Sequence, residues 1–488
     1  MNLLLALLAG LLQGAAFLFP TAQPLVWLGV ACVAVAVHRS PSGLRAVALL
    51  ALAAVVRQAV ALHWWVDTAH HFAPGVAGAD FTLAALGWVV SGTAAQLPSM
   101  VLLLTPARRW PPRLWLPFTW ALGEAVAEAL CGFSMTQVLH SQWAQPSMLR
   151  ALAHVGWWPL LLLCLHAAIS VGEAAVRRTP RLLAPAGLVL GALALVPPLP
   201  PVDDALSGVG VVHLASLAHV PGTAPEGTSL LVWPESTVRG NQRLPEGPLP
   251  QPTPLAALAD TPLPVASLAG LTLRTEGQYL TAAGAFDAQG RLLASRGKAV
   301  LVPVGERVFL GLRGRGEPLT PGKAPPLLSV AGRRLIPLIC YEAFSRPTSL
   351  EGQAGGGDLI AVLASDLPLV GNRFAWEQAV GAVILRAVEQ RVPAVRASLA
   401  GPAVIVSSDG RVLARSEPGT SGVLTWHPRD GLLELGTAAC QTAPSAGKVL
   451  GHRAWCGGAP RVRDPSRGEL KPIEGRALTE TAALGPLE

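Results

Sequence analysis

Three residues of this chain combine a reactive side chain with a placement that would let it do acyl-transfer chemistry. Cys340 ends the apolar run LIPLICYEAF, residues 335 to 344, and is followed by Tyr341 and Glu342. Such a run reads as a central strand, so the thiol stands at a strand end, near the N-terminus of whatever helix follows, where a thiolate is favoured. Glu235 closes a second apolar run, LLVWPEST at 230 to 237, and Lys298 opens a third, RGKAVLVPVGE at 296 to 306. Acyl transfer through a thioester needs a thiol, a base that takes its proton and returns one to the departing group, and a cation for the oxyanion of the tetrahedral intermediate. Cys340, Glu235 and Lys298 meet those needs in turn. Lys298 also stands out by usage, because this Arg-rich chain has only four lysines, at 298, 323, 448 and 471. A compact ammonium is kept where a guanidinium would not serve. Taken singly, each residue has a plainer reading: a core thiol, a carboxylate beside a helix cap, a solvated strand-end charge. Their order and shared strand-edge setting favour the catalytic one.

The elements that must position them fall into two kinds. With 51% hydrophobic residues, 14% charged residues and a mean hydropathy of +0.45, the chain is too apolar for an ordinary soluble enzyme. The apolarity lies before residue 200, where seven membrane spans are expected, near 2–19, 24–37, 43–62, 81–105, 114–133, 150–176 and 182–198. The second is short, and Pro98 interrupts the fourth. Beyond Pro201 short strand-like runs alternate with Gly and Pro, as in a globular α/β domain. The expected organisation is a transmembrane helical domain over 1–200, a catalytic domain over 201–430 and a partly disordered tail over 431–488.

Arginines give the orientation. Arg39 and Arg45 flank the second connection, Arg108, Arg109 and Arg113 fill the fourth, and Arg177, Arg178 and Arg181 fill the sixth, while the odd connections are almost free of Lys and Arg. The even connections are then cytoplasmic, and an odd number of spans delivers the globular domain to the outer side. The net charge of +7 is thereby an orientation signal; no zinc-finger spacing, phosphate loop or basic-aromatic stretch calls for nucleic acid. No basic region precedes the first span, which reads as a retained anchor and not as a cleaved leader. Glu124 and Glu128 lie one helical turn apart in the fifth span and should face the bundle interior, paired with Arg57 or set near a lipid headgroup. The HWWVDTAHH stretch, 63 to 71, is marked by Trp64 and Trp65 as an interfacial belt, not a metal site. Cys32, Cys131 and Cys164 read as small apolar fillers, and Cys440 and Cys456 lie where oxidising conditions permit a disulfide.

A Glu, Lys, Cys series at strand edges, borne on a multi-span protein, resembles the apolipoprotein N-acyltransferases, membrane-bound members of the nitrilase or carbon-nitrogen hydrolase superfamily. The resemblance runs from residue 1 to about 425. It rests on WPE at 233–235, GK then LVPVGE at 297–306, PLICYE at 337–342, LRAVEQRVPAVRASLAG at 385–401 and SDGRV at 408–412. FLFP at 17–20, Trp120 with Glu124, and GF at 132–133 add a weaker match. The resemblance implies an α-β-β-α sandwich carried by the bundle, with Glu235, Lys298 and Cys340 catalytic. It further implies that Glu306 orients the lysine or assists proton movement, and that Tyr341 and Glu342 position the nucleophile. It implies a bacterial cytoplasmic-membrane location, a phospholipid acyl donor such as phosphatidylethanolamine, a lipid-modified apolipoprotein as acceptor, and neither cofactor nor metal.

The departures from that pattern bear on the acceptor. No apolar run after residue 426 supplies the family's additional span, the loop that reads Asn-Asp-Ala-Trp in the family is SDLPLV at 365–370, the segment 211–227 lacks the family's Gln and Asn pattern, and Ala127 stands where a basic residue follows the Glu of the fifth span. The expected activity is therefore N-acyl transfer with an intact first half-reaction and a slower or redirected second. A membrane-bound amidase or hydrolase, and a lipoprotein-docking protein with a vestigial triad, are the alternatives.

Overall fold

The computed structural model describes residues 2–72, 79–131, 135–217, 223–238, 241–255, 263–275, 278–308, 318–323, 327–369, 371–426, 461–463 and 470–472. The chain forms two compact units, Met1–Trp426 and His427–Glu488.

The first unit begins with α1 (Asn2–Leu18), α2 (Leu25–His38), α3 (Gly43–Ala61), α4 (Trp65–Phe72), α5 (Ala79–Ala94), α6 (Leu97–Leu103), α7 (Pro112–Cys131), α8 (Pro146–Val155), α9 (Trp157–Arg177) and α10 (Ala184–Leu195). Small residues let these helices approach closely: a Cβ on Gly10 or Gly14 of α1 would lie 2.6 or 2.5 Å from Val56 or Val60 of α3. Among the described residues α3 and α9 are long and apolar enough to cross a membrane, and α5 with α6, bent by 60° at their junction, make a third if they act together. The break falls at the Gln96, Leu97, Pro98 step, where the sequence marked an interruption. Of the seven expected spans, two or three are thus long and apolar enough among the described residues. Helices α1 and α2, at 17 and 14 residues, extend about 26 and 21 Å, short of a ~30 Å hydrocarbon layer.

The chain nevertheless runs back and forth between two ends of the bundle. At one end Asn2 Nδ2 donates to the Arg39 carbonyl, Gly43 abuts Leu103 and Arg108, and the Glu173 carboxylate takes both Arg113 and Arg177. At the other end the Ala61 carbonyl accepts from Gln378, Phe19 and His63 meet the ring of Phe374, and Glu128 accepts from the Arg346 backbone, so this end carries the sandwich.

The sandwich comprises β1 (Val209–Leu214), β2 (Leu230–Val232), β3 (Asn241–Gln242), β4 (Gly247–Pro254), β5 (Ser267–Thr275), β6 (Gln278–Phe286), β7 (Arg291–Gly297), β8 (Leu328–Val330), β9 (Arg333–Ile339), α11 (Arg346–Ala354), β10 (Leu359–Ser365), α12 (Arg373–Gln390), β11 (Ala394–Leu399), β12 (Val404–Val406), β13 (Val412–Arg415) and β14 (Gly422–Thr425). The ladder runs β4-β7-β6-β5-β2-β1-β11-β10-β9-β8. Its middle, from β5 to β9, is parallel, and β1, β10 and β11 within it are buried on both faces, as parallel strands usually are. The ladder folds over itself, so Leu268 and Ala283 of one half share a core with Leu335, Ile339 and Leu363 of the other. On the outer face of β9 to β11, Ile336, Leu338, Ile360 and Val362 join α12 and the helical bundle in one continuous core. On the opposite face Trp233, Leu271, Leu280 and Phe286 pack with Leu255 and Leu263, and no helix lies there among the described residues. Of the expected α-β-β-α layers, the described residues therefore supply β-β-α. Both ladder ends are guarded: β8 has three residues, and β4 carries Pro248, Pro250, Pro252 and Pro254 at alternate positions.

In the second unit the described residues form one antiparallel pair, β15 (Arg461–Arg463) with β16 (Leu470–Pro472). Cys440 and Cys456 lie outside the described residues, as does the side chain of Cys131.

Candidate active site

Glu235 and Cys340 both lie just past the carboxyl ends of strands in the parallel stretch, β2 and β9, the edge at which open α/β sheets present their ligands. Lys298 follows β7, and its N–H donates to the Thr281 carbonyl at 2.7 Å, which extends the β6-β7 ladder to the lysine itself. The backbone here is strained. Cys340 sits at φ 50°, Ser236, beside Glu235, at φ 62°, and Val304, between Lys298 and Glu306, at φ 67°. Left-handed non-glycine residues cost about 1–3 kcal/mol each and persist where their surroundings over-determine them. At Glu235 the constraint comes from β5: a Cβ on Gly270 would stand 2.6 Å from the Glu235 Cα, and the Gly270 N–H donates to the Pro234 carbonyl at 3.2 Å. Only glycine lets the strand pass this close.

The three side chains converge. Lys298 Nζ lies 2.6 Å from Glu306 Oε1 and 3.5 Å from Glu235 Oε1, and the lysine is 1% exposed. Glu306 is itself held, its Oε2 accepting from the Val302 N–H at 2.8 Å. The Cys340 thiol donates to the Ser365 carbonyl, 3.7 Å away, and feels the charge of the Glu235 carboxylate. Burial raises the Glu235 carboxyl above its ordinary value, against the pull of Lys298. Burial, then the Glu235 carboxylate, push the Cys340 thiol up to about 12, against the same ammonium. Burial would lower Lys298, but the Glu235 and Glu306 carboxylates outweigh it and hold the ammonium above its ordinary value. At rest the site therefore holds a neutral thiol, a permanent cation and a carboxylate within reach of both, and thiol deprotonation belongs to the attack.

Glu342, buried completely, ties the two catalytic turns together. Its Oε1 accepts from the Ala299 N–H at 2.6 Å and the Val300 N–H at 3.2 Å, directly after Lys298, while its Oε2 accepts from the Ile339 N–H at 2.8 Å, directly before Cys340. Arg296 clamps both oxygens at 3.1 and 2.7 Å. Burial opposes the charge on Glu342, yet Arg296 and these N–H donors hold its carboxyl below the ordinary value. Tyr341 is half-buried with its ring 6.1 Å from Phe344. Two partnerships were not read from the sequence. Arg296 is one, and its signal was an Arg two residues before the singled-out lysine. The other is Asp366, buried beside Ser365, whose oxygens accept from Arg396 at 2.6 Å and Ser398 at 2.8 Å. This fixes the loop that carries the Ser365 carbonyl.

Of the expected pairing with Arg57, only Glu124 takes part, and through charge alone, with no hydrogen bond between them. Glu124 accepts from Trp120 Nε1 at 3.1 Å and the Val138 N–H at 3.0 Å; Glu128 turns to Gln137 and Arg346; and the Arg57 nitrogens have no hydrogen-bond partner. The end of α7 faces the sandwich, so Glu128 finds a partner there and not in α3.

Fold and site together define a class. Residues 203–427 match the Carbon-nitrogen hydrolase family. The chain is similar to the apolipoprotein N-acyltransferase of Bordetella bronchiseptica, 28% identical over 81% of this chain and 85% of that protein. It is also similar to the apolipoprotein N-acyltransferase of Agrobacterium fabrum, 29% identical over 43% of this chain, and to that of Allorhizobium ampelinum, 28% identical over 40%. These last two matches span 42% and 39% of the relatives' own lengths. A mutant amidase of the nitrilase superfamily from Nesterenkonia AN1 aligns with 45% of this chain and 89% of its own at 19% identity and a TM-score of 0.32.

Proposed function

We propose that this chain is an N-acyltransferase that completes lipoproteins by a ping-pong route. The observation that carries the reading is the buried Lys298 ammonium set between two carboxylates, with the Cys340 thiol subject to the charge of both Glu235 and the lysine. Glu235 takes the thiol proton as sulfur attacks the ester carbonyl of a phospholipid, phosphatidylethanolamine by resemblance to the family. Lys298 stabilises the oxyanion, and the departing lysophospholipid alkoxide takes the proton back from Glu235. The free α-amino group of an S-diacylglyceryl-cysteine chain then attacks the thioester. Glu235 removes its proton, and the amide leaves as the thiol is regenerated. Glu306 keeps the lysine aimed, and Tyr341 and Glu342 support the nucleophile's turn. No dissociable cofactor takes part in these steps.

The catalytic domain, 201–430, stands on the outer face of a bacterial cytoplasmic membrane that the helical domain, 1–200, crosses seven times. Support comes from the arginine-bearing end of the bundle, opposite the end that carries the sandwich. Short helices are accommodated where the bilayer thins around them. A reporter active only outside the cytoplasm should be active at residue 205 or 480 and silent near 109; the reverse would overturn the orientation.

The deciding test is incubation of the purified protein with acyl-labelled phosphatidylethanolamine, followed by peptide mass spectrometry of Cys340 and addition of a diacylglyceryl-cysteine peptide. An acyl adduct that passes to the peptide amine is expected. Release of free fatty acid alone, at saturating acceptor, would replace the transferase with a hydrolase.

A further inference from the structure

We infer that Glu128, in the helical bundle, is a positioning residue for the Cys340 turn of the sandwich. Helix α11 begins at Arg346, six residues after Cys340, and its start lacks an ordinary cap: the Ser345 side chain makes no capping bond, and Pro347 has no N–H to offer. The Glu128 carboxylate, 4% exposed, takes the capping place, with Oε1 accepting from the Arg346 N–H at 3.0 Å. A carboxylate at a helix N-terminus satisfies an orphan donor and meets the positive end of the dipole. Its other oxygen accepts from Gln137 Nε2 at 3.1 Å and faces Arg346 Nη1 at 3.8 Å. The Arg346 guanidinium is fixed independently, 5.0 and 4.9 Å from the rings of Trp157 and Trp158 and bonded to Glu389 at 2.6 and 2.9 Å.

The link to the nucleophile is short. Residues Cys340–Phe344 form a single tight turn, closed by the Ser345 N–H on the Glu342 carbonyl at 2.9 Å, so the backbone passes from Cys340 to the Glu128-held N–H without a flexible joint. Glu342 grips the entry to this turn and Glu128 grips its exit. A left-handed nucleophile needs both, because a strained φ relaxes when either flank is released.

This inference rests on Cys340 being the nucleophile, and two opposed variants of the full-length protein test it. Glu128→Asp keeps the charge but withdraws the oxygen from the Arg346 N–H; Glu128→Gln keeps an acceptor oxygen in place but gives up the charge. The readouts are the rate of iodoacetamide capture at Cys340, resolved by peptide mass spectrometry, and the rate of acyl-adduct formation, with melting midpoints recorded alongside. Glu128→Asp should slow both rates by on the order of 10- to 10²-fold, as small misplacements near a reacting atom do. Glu128→Gln should stay within about threefold of wild type, because Gln137, whose Oε1 has no partner, can turn its amide to accept from the new NH2. The reverse order, or equal rates in the two variants, overturns the inference. Wild-type protein that is alkylated at Cys340 but never acylated would instead sink the acyltransferase reading and leave the order of the variants to decide the role of Glu128.

Discussion

The candidate site and the interior of the bundle differ in how completely their buried polar groups are partnered. Around the candidate site, Arg296 is paired with Glu342, Arg396 with Asp366, and Lys298 with Glu306 and Glu235, and the carboxylates take further N–H or hydroxyl donors. In the bundle, Arg57, Gln58 and Gln96 keep buried polar atoms without a hydrogen-bond partner, and the same is true of Gln378 and Gln390 on α12, the sandwich helix that packs against it. A fully partnered network holds atoms to a geometry; an unpartnered one leaves room to move. The contrast places rigidity where bonds would be made and tolerance where lipid is met.

The largest effect expected is at the site itself. Cys340→Ala should abolish the acyl adduct, and Lys298→Arg should lower its rate by on the order of 10²- to 10³-fold, since a planar guanidinium cannot replace a point ammonium in a small oxyanion site. A Glu235→Gln, Lys298→Arg double variant should be about as slow as the slower of its two single variants, because their effects are not additive. A Lys298→Arg enzyme with most of its activity would make the lysine structural.

Next is the brace. In Glu342→Gln an amide NH2 would face N–H donors on at least one side, and Arg296 would be left a buried charge without its counter-ion. Unfolding in urea should show about 3–5 kcal/mol of lost stability. A loss below ~1 kcal/mol would mean that the sandwich is as tolerant as the bundle, and the contrast would fail.

A smaller effect concerns pH. Glu235 must be ionised to take the thiol proton, and burial raises its pKa. Acyl-adduct formation should therefore fall on acidification at a pH above the ordinary carboxylate value of about 4.3, and Glu235→Gln should lack that limb. A limb at the ordinary value would place the base elsewhere.

The smallest effect should come from Arg57→Met. Its guanidinium makes no hydrogen bond and meets Glu124 through charge alone, so replacing it with an apolar chain of similar length should cost about 1 kcal/mol, well below the Glu342→Gln loss. A large loss in the same urea titration would show a partner for Arg57 and narrow the difference between the two regions.

The parts of this arrangement that could be read from the sequence are those written locally. Glu235 and Cys340 each close an apolar strand run, β2 and β9, as read; Lys298 does not open one, since 299–306 holds no strand and the lysine instead follows β7. The partners of Glu342 and Asp366 are written only in the fold: Arg296 lies 46 residues from Glu342 and Arg396 lies 30 from Asp366, and an Arg in a strand gives no local sign that it points inward. Glu128 was misjudged for the same reason, since periodicity shows that it faces inward along α7 but not that a second domain waits at the helix end. Span bounds were legible too, for α1 and α2 stop at 17 and 14 residues close to the limits read from hydropathy, but hydropathy does not say whether helices that short cross a bilayer.

The proline-studded rim of the ladder has a consequence for how this protein meets others. A strand must offer a row of free N–H groups for another chain to zip onto it. The prolines at 248, 250, 252 and 254 remove every second one from β4, and at the far end β8 is too brief to template anything. A chain that meets either end of this ladder therefore finds no long run of backbone donors to pair with, and whatever holds it there must be side chains.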